Sequence, residues 1–171
     1  MNFISFKLNI EQLLMGAIGI APFVFGIYQW LMRQRIEKLQ SRFKLMEQFY
    51  SSATLHKTFQ EVDYENTFLG PDFAASEEER RLDQLLLFLD HVERCWKENL
   101  ISEQGYHSFE YFFNRVKDHH EILSYLKFHR NIICETTGTK VSPFSALLKK
   151  FESEIELAKC IDIYSNEKLG A

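Results

Sequence analysis

The chain has 171 residues, of which 46% are hydrophobic and 15% aromatic, with only 3 prolines and 7 glycines. This composition excludes wholesale disorder, allows one ordinary domain with an appendage, and favours helix. The formal net charge is −4, and residues 58–171 carry 13 basic against 21 acidic side chains, so an acidic body disfavours a nucleic-acid partner.

The first predicted element is an uncharged stretch at residues 13–32, LLMGAIGIAPFVFGIYQWLM. As a helix it would rise about 30 Å, the thickness of a bilayer's hydrocarbon core, which predicts a transmembrane helix. A cleaved signal peptide is disfavoured because Lys7 is offset by Glu11 and the stretch ends in bulky residues. A core helix of a soluble protein is the other alternative, but it would be expected to show a polar stripe.

Small or polar residues follow one face of this stretch. They are Gly19, Pro22, Gly26 and Gln29. Such a face lets membrane helices approach closely and predicts a packing surface. The alternative is that glycine and proline are simply common in membrane helices, with Pro22 marking a kink.

A helical stalk is predicted at residues 33–60. Its apolar residues have the 3-4-3-4 spacing of a coiled-coil seam: Ile36, Leu39, Phe43, Met46 and Tyr50. Self-association through this seam and packing against the chain's own body both remain open.

The start of the stalk is basic, because residues 33–57 carry six basic against two acidic side chains. The basic collar predicted to lie at the membrane surface is Arg33, Arg35, Lys38, Arg42 and Lys44. By the positive-inside rule, residues 1–12 lie outside and the C-terminal part is cytoplasmic.

A linker is predicted at residues 61–75, where Gly70 and Pro71 mark a turn. The cytoplasmic domain would follow at residues 76–171. Its first helix is predicted to begin at Glu77 after a Ser76 cap and to end near Asn99. The next is predicted to begin after Ser102 and to bend or restart near Asp118. The last is predicted to run from Ser142-Pro143 through Cys160. The predicted fold class is all-α: a transmembrane helix continuing into a stalk, followed by a small helical bundle.

The motif that most suggests chemistry is Asp118-His119-His120, since imidazole and carboxylate bind metals used in hydrolysis. Adjacent helical side chains project about 100° apart, however, and no Glu-x-x-His pair accompanies them. The three cysteines form no CxxC pair. We therefore predict no catalytic residue, no metal and no cofactor, with a metal-dependent hydrolase using His119 and His120 as the alternative.

Two later segments carry a resemblance: LDQLLLFLDHVERCWKENLIS at residues 82–102 and YHSFEYFFNRVKDHHEILSYLKFHR at residues 106–130. With the preceding span and basic collar, the chain resembles a bacterial family of membrane-anchored helical proteins of unknown function. The resemblance covers residues 13 to about 130 and brings no active-site residues. It implies an accessory or effector component near mobile elements and phage-defence systems.

Two hypotheses on function follow. In the first, a non-enzymatic single-pass protein of the bacterial inner membrane self-associates, and its cytoplasmic domain binds a protein or small-molecule ligand. A membrane-perturbing defence effector is the concrete version. In the second, the chain is an adaptor that tethers a cytosolic enzyme or complex to the bilayer.

Overall fold

The computed structural model describes residues 10–64, 72–136 and 142–158, with side chains for 20–64, 72–131 and 142–158. Every regular element of these residues is a helix. In chain order they are α1 (Ile10–Ser51), α2 (Ala53–Asp63), α3 (Glu77–Lys97), α4 (Glu103–His107), α5 (Glu110–Asp118), α6 (His120–Thr136), α7 (Ser145–Lys150) and α8 (Glu152–Leu157). The all-α class and the helical bundle are therefore confirmed.

Helix α1 has 42 residues and so spans about 63 Å. The unbroken stalk predicted through residue 60 is in fact two helices, because the backbone at Ser52 is extended (φ −86°, ψ 103°). The Ser52 hydroxyl accepts a hydrogen bond from the Leu55 amide at 3.3 Å and so caps α2. This break turns α2 into the core, where Leu55, Phe59 and Val62 are buried.

Helix α3 begins at Glu77 as predicted. The Ser76 hydroxyl accepts a hydrogen bond from the Glu79 amide at 3.1 Å. At the other end, the amides of Leu100 and Asn99 bond the carbonyls of Cys95 and Trp96, and Asn99 has a φ of 61°. This is a Schellman motif with asparagine at its left-handed position, and it ends the helix where the sequence predicts.

Residues 103–136, which follow α3, form three helices. Ser102 caps α4 as predicted, through a 3.1 Å bond from the Gly105 amide. The helix predicted there is interrupted at Phe109, which is fully buried, and α5 begins at Glu110. The restart predicted near Asp118 is confirmed, because His119 is extended (φ −85°, ψ 101°) and α6 follows it.

The last predicted helix differs in its start. Ser142 and Pro143 do not cap it; helix α7 begins at Ser145 after a turn. The cap comes instead from α3, where buried Asp90 accepts hydrogen bonds from the Ala146 and Leu147 amides at 2.7 and 3.0 Å. The sequence could not predict this cap, because Asp90 lies more than fifty residues earlier in the chain.

Helix α7 is also shorter than predicted. Buried Phe151 separates it from α8, which ends at Leu157. The predicted end at Cys160 lies outside the described residues.

The core gathers apolar side chains from α1 through α8. Its largest fully buried members are Phe49, Phe109, Tyr125, Phe144, Leu82, Leu85, Leu86, Leu89, Ile101, Ile122, Leu126 and Leu147. Only the end of α1 contributes to it, through Leu45 and Phe49. The domain therefore begins in the last two turns of α1, before the predicted linker.

The predicted linker at residues 61–75 is only partly a connection. Helix α2 extends to Asp63, residues 65–71 lie outside the described residues, and Phe73 is buried against the Tyr125 ring at 5.6 Å. This segment is thus attached to the domain at both ends of the gap.

Among the residues whose side chains are described, no helix combines the length and the hydropathy needed to cross a membrane. The transmembrane helix predicted at residues 13–32 is thus not found among them. The side chains of residues 13–19 lie outside the described part.

Candidate interaction surface on the first helix

The N-terminal part of α1 is uncovered. Side chains of residues 20–36 are all exposed, including large apolar groups such as Phe23 at 71%, Phe25 at 59% and Trp30 at 58%. The exposed side chains point in all directions around the helix, because each residue is rotated by about 100° around the helix axis from the one before. Residues 20–32 therefore contribute nothing to the core of the described domain, which removes the core-helix alternative for them.

The predicted packing face lies within this uncovered part. Pro22, Gly26 and Gln29 are exposed, and a Cβ placed on Gly26 would meet no atom within 4 Å. The side chain position of Gly19 lies outside the described residues. No described part of the chain occupies this face.

The predicted stalk seam is also exposed. The exposed fractions are 50% for Ile36, 48% for Leu39, 67% for Phe43 and 64% for Tyr50, while Met46 is partly buried. The face that packs on the domain is a different one and carries Leu45 and Phe49. Of the two alternatives for the seam, packing on the chain's own body is thus seen at Met46, whereas Ile36, Leu39 and Phe43 stay exposed.

The basic collar is divided between two directions. Lys38 donates a hydrogen bond from Nζ to Oδ1 of Asn99 at 2.7 Å. The Arg42 side chain lies against Gly105, where a Cβ would come within 3.4 Å of Arg42 Cδ. These two residues therefore join α1 to the α3–α4 connection.

The other collar residues remain available to solvent or lipid. Arg33 makes only a water-exposed ion pair with Glu37 at 3.5 Å, one turn along the same helix. Arg35 and Lys44 are exposed. An exposed pair of this kind contributes little to stability.

An aromatic cluster fixes the end of α1 in the domain. The Phe49 ring contacts the rings of Phe59, Phe88 and Phe112, with centroid separations of 6.0, 5.6 and 4.6 Å. Helices from three later parts of the chain thus surround one side chain of α1. Since α1 is continuous from Ile10 to Ser51, its uncovered part is connected to the core without a break.

A groove of about 350 Å³ opens where α1, α2 and α3 meet. It is lined by Gln48, Ser52, Leu55, Gln84, Leu87, Phe88 and His91. Leu87 is 45% exposed there, whereas the facing Leu55 is buried. The groove is mostly apolar with a few amide and imidazole groups, a lining that suits a small apolar ligand or a peptide side chain.

The two adjacent histidines are separated by the helix break. His119 is buried at 9% exposure, whereas His120 is exposed at the first position of α6. Among the described residues, no group of three or more His, Cys, Asp or Glu side chains is arranged to hold a metal ion.

Buried polar groups elsewhere are tied to the packing of α3. Tyr106 donates a hydrogen bond to buried Glu93, and Lys150 Nζ lies 2.5 Å from the Tyr106 oxygen and 3.4 Å from Glu93 Oε2. Burial, with the bond to Glu93, raises the pKa of Tyr106. Lys97 adds an ion pair to Glu93 Oε1 at 3.2 Å, so the buried carboxylate is compensated.

A second buried cluster joins α3 to α6. Tyr125 donates to Asp83 at 2.8 Å and contacts Glu79 at 3.2 Å. Burial raises the pKa of Asp83 and of Tyr125, and burial lowers the pKa of the neighbouring His129 imidazole. Sequence reasoning missed both clusters, although carboxylates at helical spacing within the apolar face of α3 were a readable signal.

No family model, no curated protein and no solved structure matches the chain.

Proposed function

We propose that the chain is a non-enzymatic, single-pass membrane protein whose helical domain lies in the cytoplasm and binds a protein or small-molecule partner. The observation that carries this proposal is the uncovered part of α1. An apolar helix exposed on all sides is unfavourable in water, and no described part of the domain covers it. A bilayer would cover it in every direction at once.

Insertion is energetically reasonable for the whole apolar stretch. Residues 13–32 contain nine Leu, Ile, Val or Phe side chains and no charge. At about −0.3 to −0.6 kcal/mol each, these contribute about −3 to −5 kcal/mol. Tyr28 and Trp30 stand near the end of the stretch, where an aromatic belt lies in membrane helices.

The exposed basic groups support a cytoplasmic domain. Arg33, Arg35 and Lys44 are available on the side of the stretch that leads to the domain. Each basic group near an anionic leaflet contributes roughly 1 kcal/mol. The short N-terminal segment would then lie outside, and the lipid bilayer is the first partner of the protein.

Alkaline extraction of membranes from cells that express the full chain tests the anchor. The full chain should stay in the membrane pellet, and Phe23→Arg should move it to the supernatant, because arginine at the centre of a span costs about 2.5–3.5 kcal/mol. The matched control is Phe43→Arg, a similarly exposed residue of α1 beyond the apolar stretch. Extraction of the unaltered chain, or equal release of both variants, would contradict the anchor.

The two versions of the function differ in what the span does. As a defence effector, the version implied by the resemblance, the assembled spans would perturb the bilayer when the domain binds its signal. As an adaptor, for which the groove between α1, α2 and α3 offers a binding place, the span would only tether.

Replacing residues 13–32 with an unrelated apolar span of 20 residues separates them. The adaptor keeps its activity in such a chimera, whereas the effector loses it. Membrane potential measured in cells with a voltage-sensitive dye gives the readout for the effector.

A further inference from the structure

The seam on the stalk does not stop where the apolar stretch ends. Continued towards the N-terminus with the same alternating spacing, it takes in Pro22, Phe25, Gln29 and Met32 before Ile36. We propose that two copies of the chain pair in parallel along this continuous seam. This pairing deepens the proposed function and rests on it, because membrane insertion gives both copies the same orientation. The full seam is Pro22, Phe25, Gln29, Met32, Ile36, Leu39, Phe43, Met46 and Tyr50.

The spacing is that of a left-handed coiled coil. Nine positions separated alternately by three and four residues extend over four heptads, about 43 Å of helix. A straight helix drifts by about 20° per heptad relative to this repeat. The seam therefore stays on the side that faces a partner only when the two helices supercoil around each other. The stalk alone offered two heptads; the continuation doubles the length of the pattern.

The structure leaves this seam free to pair. Phe25, Met32, Ile36, Leu39 and Phe43 are between 39% and 67% exposed. No described residue of the chain packs across them.

The domain does not obstruct the seam. At 100° per residue, the domain-facing residues Leu45 and Phe49 lie about 100–160° around α1 from Phe43 and Tyr50. Two copies related by a twofold axis would therefore carry their domains on opposite sides of the pair. The partly buried Met46 marks the edge between the two faces.

Charge complementarity favours the parallel arrangement. Beside the seam, Arg35 and Arg42 occupy the g position of the heptad, and Gln40 and Glu47 occupy the e position. In a parallel pair, a residue at the g position lies beside the e position of the next heptad in the other copy. This places Arg42 beside the partner's Glu47. Glu47 is exposed, and Arg42 is partly exposed, with the aliphatic part of its side chain against Gly105 of its own chain. Arg35 would lie beside the partner's Gln40, a neutral side chain that can accept its hydrogen bonds.

Gln29 gives the pairing a specific contact within the apolar stretch. Its amide carries two donors and an acceptor, and a bilayer offers none in return. At a seam position, two symmetry-related Gln29 side chains can exchange hydrogen bonds with each other. In membrane helices such bonds stabilise association by about 0.6–2 kcal/mol, which is about 3- to 30-fold in the pairing equilibrium.

Cysteine cross-linking in native membranes tests the seam. Three variants each carry one cysteine substitution at a seam position: Ile36→Cys, Leu39→Cys and Phe43→Cys. They are compared with three substitutions at exposed neighbours: Glu37→Cys, Gln40→Cys and Lys44→Cys. All six sites are exposed, so folding is preserved, and the unaltered chain supplies the background from its natural cysteines. We expect covalent dimer at the three seam positions and background at the other three.

The pattern also reports direction. A parallel pair brings each residue next to its own counterpart, so all three seam positions cross-link. An antiparallel pair would cross-link at a single crossing point, and equal cross-linking at all six positions would indicate unspecific collision. Either result, or background at every position, overturns the proposal.

The role of Gln29 is tested by Gln29→Leu, with Gln34→Leu as the control outside the seam. Gln29→Leu should reduce the Leu39→Cys dimer by about 3- to 30-fold, and Gln34→Leu should leave it unchanged. Equal dimer in both would overturn the pairing of Gln29.

Alkaline extraction of the same samples separates this test from that of the anchor. Leucine at position 29 strengthens insertion, so a loss of dimer in a chain that stays in the pellet concerns the pairing alone. Seam-specific dimer in the supernatant would refute the anchor and leave the pairing standing.

Discussion

The ring of Phe49 lies edge-on against the ring of Phe112, with centroids 4.6 Å apart and planes at 65°. Phe49 belongs to the last turn of α1 and Phe112 to α5, and they are 1% and 8% exposed. The contact joins the helix that carries the uncovered surface to the centre of the domain. A force or rotation applied along α1 therefore acts on the core itself.

Replacing this side chain should destabilise the domain strongly. Phe49→Ala removes a buried aromatic ring from the centre of a cluster and should lower the free energy of unfolding by about 3–5 kcal/mol. Denaturant unfolding of the full chain in detergent, followed by circular dichroism, measures the change. Tyr64→Ala, at an aromatic residue that is 75% exposed, is the control and should change it by less than about 0.5 kcal/mol. Equal effects would show that Phe49 has no special place in the core.

The cap that Asp90 provides for α7 should be important for stability. Asp90→Ala leaves two buried amides, those of Ala146 and Leu147, without an acceptor, at a cost of about 2–4 kcal/mol. Asp90→Asn keeps an acceptor oxygen but loses the charge opposite Arg94, 2.6 Å away, and should cost less. The melting temperature gives the size of the effect, and hydrogen exchange at the two amides gives its location.

The control for Asp90 is Asp118→Ala. Asp118 is exposed at the end of α5, where a negative charge gains nothing from the helix dipole. This variant should be as stable as the unaltered chain. An Asp90→Ala variant that is equally stable would refute the tertiary cap.

Stability should fall on acidification below neutral pH because of His129. Burial lowers the pKa of its imidazole from the ordinary 6.5, so the unfolded chain binds a proton there before the folded chain does. The contribution of neutral His129 to the free energy of unfolding is therefore fully present above about pH 6.5, and it is lost as the pH falls towards the lowered pKa. Asp83, whose pKa burial raises, acts in the opposite sense.

The pH profile of the melting temperature checks this. Between pH 7 and pH 5.5 the profile of His129→Phe should be flatter than that of the unaltered chain, since phenylalanine binds no proton. The surface variant His107→Phe is the control, as His107 is exposed beside Glu110. A profile unchanged by His129→Phe would assign the acid sensitivity to other groups.

Two variants of Asn99, whose backbone is left-handed, separate backbone strain from the hydrogen bond that Lys38 donates. Asn99→Ala should destabilise the chain by about 1 kcal/mol, because alanine is strained at a φ of 61°. Asn99→Gly relieves the strain and loses only the exposed hydrogen bond from Lys38, so its stability should be close to that of the unaltered chain. If glycine is as destabilising as alanine, the bond to Lys38 and not the backbone decides the choice of asparagine.

Much of the fold could be predicted from local signals. Ser76 and Ser102 cap helices where they were expected to, and the helix restarts after Asp118 as expected. These features depend on a few neighbouring residues, which the sequence displays directly. The candidate surface was readable for the same reason, since the spacing of Ile36, Leu39 and Phe43 is a property of one helix.

The errors lie where distant residues compete with local preference. Ser142 and Pro143 form a good local cap, yet Asp90 from α3 reaches the amides one turn later and α7 begins there instead. The break at Ser52 was missed because nothing near it is a helix breaker. Turning there buries Phe59 and Val62, which a straight stalk would have left in solvent.

The sequence by itself determined the helical class, the caps at Ser76 and Ser102 and the apolar spacing along α1, because these depend on residues that are near one another in the chain. Only the tertiary structure decided which face of α1 the domain uses. Leu45 and Phe49 are buried in a cluster assembled from α2, α3 and α5, and this assignment leaves Ile36, Leu39 and Phe43 exposed. Burial is a competition among all apolar groups for the same core, and its outcome depends on contacts that no single segment contains.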